Sequence, residues 1–532
     1  MYSYLIREAT VVDGSGQPPF RADVAVEGER IAAIAPRIDG TAEQQIQADG
    51  LVAAPGFIDI HTHTDATIFK HPLVESKAMQ GVTVEVIGNC GIGTFPVRPE
   101  RKKTLADYLK MHDFDLPEGG LDWNDLTQYA QRLEHLGMGI NLAPLVSHGA
   151  LRIAVMGAED RDPSPAELIQ MERLLAEALQ QGAWGMSTGL IYPPGSFAKT
   201  EELIALAKVL ARYNALYTSH IRGESGTLMQ ALDEAIRIGR ESGARVEVSH
   251  LKAMGRDNWG RGQEVLRKLE LARRAGVDIA ADQYPYEASS TSLSALVPQW
   301  AHAGGVPELL QRLSSPRLRP RIREGIMKEM TVRGGPERIM VTNIFSDRNP
   351  SLSGKTLTQI AESWRCPAEE AVIRLLLEEE AAVGAIFFSM SEEDVTAILA
   401  SDQVSVGSDG RGQNATEDSG EATHPRSYGT FARILGHYVR EKSLLPLATA
   451  VRKMTGLSAR RLGFADRGLL QPGFAADLVL FDPAAIADRA DFIHSHEYAR
   501  GILHVWVNGR PLIQDGKFTG ERPGRVLRKK NP

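Results

Sequence analysis

The chain has 532 residues, with 60 Lys and Arg against 67 Asp and Glu for a formal net charge of −7. That length exceeds one average domain and can bury a sizeable core, while the acidic balance and the lack of a basic stripe argue against a nucleic-acid partner. No basic segment precedes a long apolar one and no later run is apolar enough to span a bilayer, so a cytoplasmic protein with no membrane partner is expected.

In chain order, residues 5–12 and 23–34 read as short alternating strands with turns at Gly14 and Glu27-Gly28. The stretch Gly56-Phe57-Ile58-Asp59-Ile60-His61-Thr62-His63 follows, an apolar strand running into two histidines one residue apart. Alternate side chains of a strand share a face, so His61 and His63 can address one ion. Further apolar runs end in ligand or base types: 82–88 in Asn89-Cys90-Gly91, 215–219 in His220, 245–249 in His250, and 404–407 in Ser408-Asp409-Gly410. Cys90, flanked by Gly91 and Gly93, has room for an ion. Cys366 has no ligand neighbours in sequence and reads as an ordinary small residue. With only these two cysteines, at most one disulfide is possible, and the cytosol opposes it.

Strands expected at 57–61, 82–88, 140–147, 183–187, 216–220, 246–250, 277–284 and 404–409 alternate with helical stretches at 201–213, 228–242 and 263–275. Thr200 and Thr227 suit N-caps, and Gly243 and Gly276 suit stops. Eight such strands make a (β/α)8 TIM barrel, whose active site lies where these strands end. Residues 287–402 are too long for a crossover and read as a helical insertion over the mouth, with amphipathic segments at 307–313 and 368–380. The polar stretch 411–423 directly after Asp409 suits a lid. Short strands near 476–481 and 505–507 match those of the start, so a small β-sandwich built from both termini is expected. The expected divisions are 1–54 and 465–532 for the sandwich and 55–464 for the barrel.

Pro55 to His63, Gly88-Asn89-Cys90-Gly91, Ser219-His220-Ile221-Arg222, Ser249-His250-Leu251-Lys252 and Gly407-Ser408-Asp409-Gly410 together resemble the amidohydrolase superfamily. Within it, the chain looks most like the D-aminoacylase family of N-acyl-D-amino-acid deacylases, over nearly its whole length. Hydantoinase-type relatives bridge two metals with a carboxylated lysine after the fourth strand. Here that strand reads Gly182-Ala183-Trp184-Gly185-Met186-Ser187 and has none, whereas Cys90 matches the deacylases' cysteine.

The resemblance implies one tight Zn2+ site at Cys90, His220 and His250, and a weaker second site served by His61 and His63. It implies that Asp409 takes the attacking water's proton and returns it to the departing amine. It further implies that Lys252, Tyr284, Ser290 and Arg426 hold the substrate's carboxylate. The expected activity is hydrolysis of N-acyl-D-amino acids, small-molecule substrates, with oligomeric state left open. Nε-acyl-lysine is the alternative substrate; the missing lysine disfavours a cyclic-amide hydrolase, and the full ligand set disfavours a non-catalytic scaffold. No basic residue lies between Ser289 and Pro298 to neutralise an acidic side chain. His148 suits a supporting hydrogen bond, and His112, His135 and His437 read as surface or core residues.

Overall fold

The computed structural model describes all residues except 345, 347, 416–421 and 531–532. Its centre is a parallel barrel. Phe57–Asp59, Val82–Ile87 and Asn141–Pro144 pair in one sheet, and Val146–Ser147, Gly185–Gly189, Leu216–His220, Arg245–Val248, Ile279–Gln283 and Val404–Val406 continue it. Leu145 carries the third strand across the break, its N–H donating to Ile87 O at 2.9 Å. The ring closes beyond the regular strands, where Asp409 N donates to His61 O (2.8 Å) and His63 N donates to Gly410 O (2.9 Å). Candidate ligands therefore form the seam between the last strand and the first.

The helices outside the barrel follow apolar spacing. Leu228–Ser242 turns Leu228, Leu232, Ala235 and Gly239 inward and stops at Gly243, whose φ of 74° suits glycine. Pro165–Gln180 opens with a reciprocal cap between Ser164 and Glu167. Thr200 differs from the cap expected of it. It is the first helical residue behind Lys199, and its hydroxyl donates to Glu234 (2.8 Å).

The insertion carries the helices Val306–Ser314, Arg319–Val332, Leu357–Trp364, Ala368–Glu378 and Glu392–Leu399. It also carries an unexpected three-stranded antiparallel sheet, with Val383–Phe387 between Ser289–Ser292 and Ile339–Ile344. Two of those strands are short and largely apolar while Ser289–Ser292 is all hydroxyl residues, and their pairing is non-local, so helical periodicity around them hides their character.

Both termini build one nine-stranded sheet in which Leu478–Phe481 pairs antiparallel with Val52–Pro55. It branches on Tyr2–Val11, whose first half pairs with Ala42–Gln47 and whose end pairs with Val52–Pro55, either side of the left-handed Glu8 (φ 57°). The sheet curls until Ile31 N donates to Phe474 O (2.9 Å), enclosing Val24, Leu478, Leu480 and Trp506.

Two segments from this half of the chain reach back to the barrel. Between Phe481 and Ile502 the chain climbs to the mouth, where Thr423 N donates to Ser495 Oγ (3.0 Å) and Phe492 packs 5.1 Å from the His424 ring. Residues 524–529 run along the opposite end: Gly524 N donates to Met138 O (2.7 Å), Leu527 N to Leu142 O (2.7 Å) and Trp184 Nε1 to Leu527 O (2.6 Å). Among the described residues no helix is long and apolar enough to cross a membrane.

Candidate metal centre and active site

Each ligand candidate stands where a strand gives way to a turn. Cys90 (φ 53°), His250 (φ 34°) and Asp409 (φ 53°) all adopt left-handed backbone, a costly conformation for such residues that concentrates at functional sites. The Cys90 turn is pressed against the fourth strand, so that a Cβ on Gly91 would lie 2.6 Å from Gly189 N. Ser187 braces that turn, accepting from Gly91 N at 2.9 Å and donating to Gly88 O. The fourth strand thus supplies a strut, and no lysine.

The side chains converge in two groups that share one sulfur. His61, His63, Cys90 and Asp409 form one, and Cys90, His220 and His250 the other; within each, the ligand atoms lie within 4.8 Å of one another and every residue is buried. Cys90 Sγ is 3.2 Å from His61 Nε2 and 3.2 Å from His250 Nε2. Burial alone would push the Cys90 thiol up, but His61 and His250 hold it well below the usual thiol range, which favours the thiolate. Both ring nitrogens of His220 and Nδ1 of His63 are buried without a hydrogen-bond partner. Buried polar atoms are rarely orphaned, and thiolate with imidazoles is the donor set that suits zinc.

Outer partners fix the rings. Asp282 Oδ2 lies 3.3 Å from His61 Nδ1, and its Oδ1 accepts from His250 N at 2.8 Å. Glu224 Oε1 lies 3.2 Å from His250 Nδ1 and accepts from Lys252 Nζ at 2.5 Å. The Asp282 contact favours the His61 tautomer with its hydrogen on Nδ1, which leaves Nε2 free as a donor to an ion. Against the effect of burial, Lys252 and His220 hold the Glu224 carboxyl well below its usual range.

Asp409 presents Oδ1 to His63 Nε2 at 2.9 Å and accepts from Arg426 Nη1 on Oδ2 at 2.7 Å. Burial opposes ionisation, yet Arg426 and His250 keep this carboxyl well below its ordinary range. Beneath it, Lys77 Nζ donates to Asp59 Oδ2 (2.9 Å) and to Ser408 Oγ, and Asp59 Oδ1 accepts from Ser408 N (2.8 Å). Lys77, Asp59 and Glu85 are all fully buried, so this ionic cluster anchors the Ser408-Asp409 turn from below.

The residues expected to read a carboxylate share the cavity wall with the ligands. Tyr284 Oη is buried and has no hydrogen-bond partner among the described residues, while its ring lies 5.6 Å from Lys252 Nζ and 5.0 Å from Arg426 Cζ. Arg426 Nη2 also donates to Ser290 O (3.1 Å). Arg426 and Lys252 are thus tied to Asp409 and Glu224 as well as facing the cavity.

His148 lies outside that wall, in a buried group with Glu202 (2.8 Å) and Arg152. His135 is exposed and His437 pairs with Glu441 (3.0 Å). His112 differs from the sequence reading: it stands on the cavity wall against Tyr192 (rings 4.8 Å apart), and burial keeps it neutral, its pKa lowered to about 3. The sequence reading passed over Glu224 too, although it follows His220 by four residues. The candidate lid at 411–423 is described only in part, because 416–421 lie outside the described residues. Its first residues are tied down, with Arg411 paired to Asp113 and Gly412 N donating to Thr64 Oγ1 (2.8 Å).

Residues 44–321 and 388–513 match the model of the amidohydrolase family. Over 528 residues the chain is 39% identical to a D-aminoacylase of Alcaligenes xylosoxydans xylosoxydans, covering 99% of this chain and 97% of that one. It is also 39% identical to an N-acyl-D-glutamate deacylase of the same organism, covering 99% and 96%. A crystal structure of N-acyl-D-glutamate deacylase from Bordetella bronchiseptica, complexed with zinc and a phosphonate mimic of the tetrahedral intermediate, superposes with a TM-score of 0.83 at 37% identity over 99% of each chain. With matching residues along its whole length and a thiolate in place of a bridging lysine, the chain belongs to the amidohydrolase family, in its D-aminoacylase branch.

Proposed function

We propose that this protein is a zinc-dependent hydrolase that cleaves the amide of N-acyl-D-amino acids to a carboxylate and the free D-amino acid. The observation that carries the reading is the Cys90 sulfur shared by two ligand groups, with Asp409 in one of them and unpaired Tyr284 Oη on the same wall. Cys90, His220 and His250 would hold the tight zinc, and His61 and His63 a weaker ion beside Asp409. Bound there, zinc supplies Lewis acidity, polarising the carbonyl and lowering the pKa of water toward neutrality.

The protein's own groups do the rest. Asp409, ionised and held by Arg426, accepts the proton of the attacking water on the oxygen that faces His63. It then passes that proton to the amide nitrogen, because an amine leaves only when protonated. Tyr284 Oη and Ser290, with Lys252 and Arg426 behind them, receive the α-carboxylate and fix the stereocentre against the ligands. Cys90 and Cys366 are both free thiols, which suits a reducing compartment and supports a cytoplasmic location.

The deciding experiment compares kcat/KM for N-acetyl-D-, N-acetyl-L- and Nε-acetyl-L-amino acids on the zinc-loaded enzyme. The D forms are expected to be fastest. Faster cleavage of Nε-acetyl-L-lysine than of every D substrate would overturn the α-amide reading.

A further inference from the structure

Arg333, at the end of the insertion helix Arg319–Val332, reaches the wall of the metal cavity from outside the barrel. It is 6% exposed, and its Nε is buried with no hydrogen-bond partner. Its surroundings are Met254 Sδ, 3.9 Å from Nη1, and the Phe387 ring, 4.4 Å from Cζ. Every other lysine or arginine on that wall has a carboxylate: Lys252 has Glu224, Arg411 has Asp113, and Arg426 has Asp409. Among the described residues, Arg333 has none within ion-pair distance. A guanidinium taken out of water without an anion is costly, and contacts to sulfur and an aromatic face offset only part of that cost. A negative group placed beside Arg333 would offset the remainder of that cost.

That place is separate from the α-carboxylate's. Arg426 touches Asp409 and Lys252 touches His250, which sets both beside the reacting amide. Arg333 touches no ligand residue. It stands instead where the metal cavity runs into an adjoining hollow, His112, Ile191, Tyr192, Glu224 and Arg333 being common to both walls. A group reaching it extends away from the amide, along either the side chain or the acyl chain of the substrate.

Building on the proposed function, we infer that Arg333 binds a second carboxylate of the substrate, so that dianionic N-acyl-D-amino acids are preferred over neutral isosteres. The counter-charge absent from residues 289–298 is supplied later in the same insertion, by Arg333. A planar guanidinium with five donors is suited to a bidentate carboxylate. Whole-chain similarity does not choose among side chains, since relatives 38–39% identical to the chain are named D-aminoacylase, N-acyl-D-glutamate deacylase and N-acyl-D-aspartate deacylase.

The test uses the zinc-loaded full chain and two isosteric pairs. N-acetyl-D-glutamate against N-acetyl-D-glutamine places the second carboxylate on the side chain; N-succinyl-D-leucine against N-succinamoyl-D-leucine places it on the acyl group. In one pair the dianion is expected to have a kcat/KM about tenfold to a hundredfold higher, the range of one charge-assisted contact. Arg333→Met should abolish that preference, Arg333→Lys should restore part of it, and both should keep zinc and the rate on the neutral partner. Equal rates within both pairs would overturn the inference while leaving the proposed function standing, and the wild-type comparison decides this even if Arg333→Met does not fold. Loss of acid-over-ester selectivity for N-acetyl-D-leucine in Arg333→Lys would also overturn it, by making Arg333 an α-carboxylate reader. Failure of every D-amide, neutral and dianionic alike, would refute the proposed function itself.

Discussion

Arg426 and Asp409 share a buried ion pair, Nη1 to Oδ2 at 2.7 Å, on the side of the carboxylate away from His63. The arginine expected to grip the substrate thus also holds the proton carrier, and it occupies one oxygen so that the other is left for chemistry. In the proposed mechanism, binding and proton transfer are therefore coupled through one guanidinium.

Arg426→Ala should therefore lower kcat as well as raise KM, and should narrow the preference for a free α-carboxylate over its methyl ester by about tenfold or more. Steady-state rates on N-acetyl-D-leucine and its ester check this. An unchanged acid-to-ester ratio would remove Arg426 from carboxylate recognition.

Asp409→Asn keeps the shape and can keep the bond from Arg426, but not the basicity. Turnover should fall by a factor on the order of 100 or more. One equivalent of zinc should stay at Cys90, His220 and His250, a group that does not include Asp409. Metal content measured beside rate separates the roles, and loss of both ions in step with activity would make Asp409 chiefly a ligand.

Cys90→Ala removes the one atom common to both ligand groups. Metal analysis should find substoichiometric zinc, with turnover close to background, because affinity depends on the deprotonated ligand set. A variant with full zinc and normal turnover would refute the shared-thiolate centre.

Lys77→Met tests the foundation under Asp409. Removing one member of a buried ion cluster costs about 3 to 5 kcal/mol, because the remaining charges are stranded. Burial already lifts Glu85 to about 7 against the pull of Lys77 and with the push of Asp59. A carboxyl whose folded pKa is raised weakens the fold as pH climbs from its unfolded value through the folded one. Without Lys77 that folded value rises further, so the gap in urea midpoint between variant and parent should widen above pH 7. A gap that shrinks with rising pH would contradict this account.

The barrel was legible because apolar runs recur along the chain and five of its strands end in a chemically distinctive tip. His61, His63, Cys90, His220, His250 and Asp409 all sit at such tips, and the structure brings all six together. What stayed hidden depends on tertiary contact. Glu224 gains meaning only beside Lys252 and His250, and His112 is an ordinary helix-end residue until Tyr192 packs against it. Arg333 is one arginine among many until its lack of a carboxylate becomes visible. The three-stranded sheet of the insertion escaped for a related reason, since its strands answer to partners tens of residues away.

The strip formed by residues 524–529 along the barrel's base bears on the order of assembly. All eight barrel strands have been synthesised once the ribosome passes Val406, yet Met138, Leu142 and Trp184 still lack the backbone partners that Gly524 and Leu527 provide. Val52–Pro55 likewise waits for Leu478–Phe481 before its edge is covered. A nascent chain halted between these points would display open edges at the floor of an otherwise formed barrel, the kind of surface on which chaperones act and partial products aggregate. Completion of the barrel floor is in this sense deferred until residues more than a hundred positions downstream have been made.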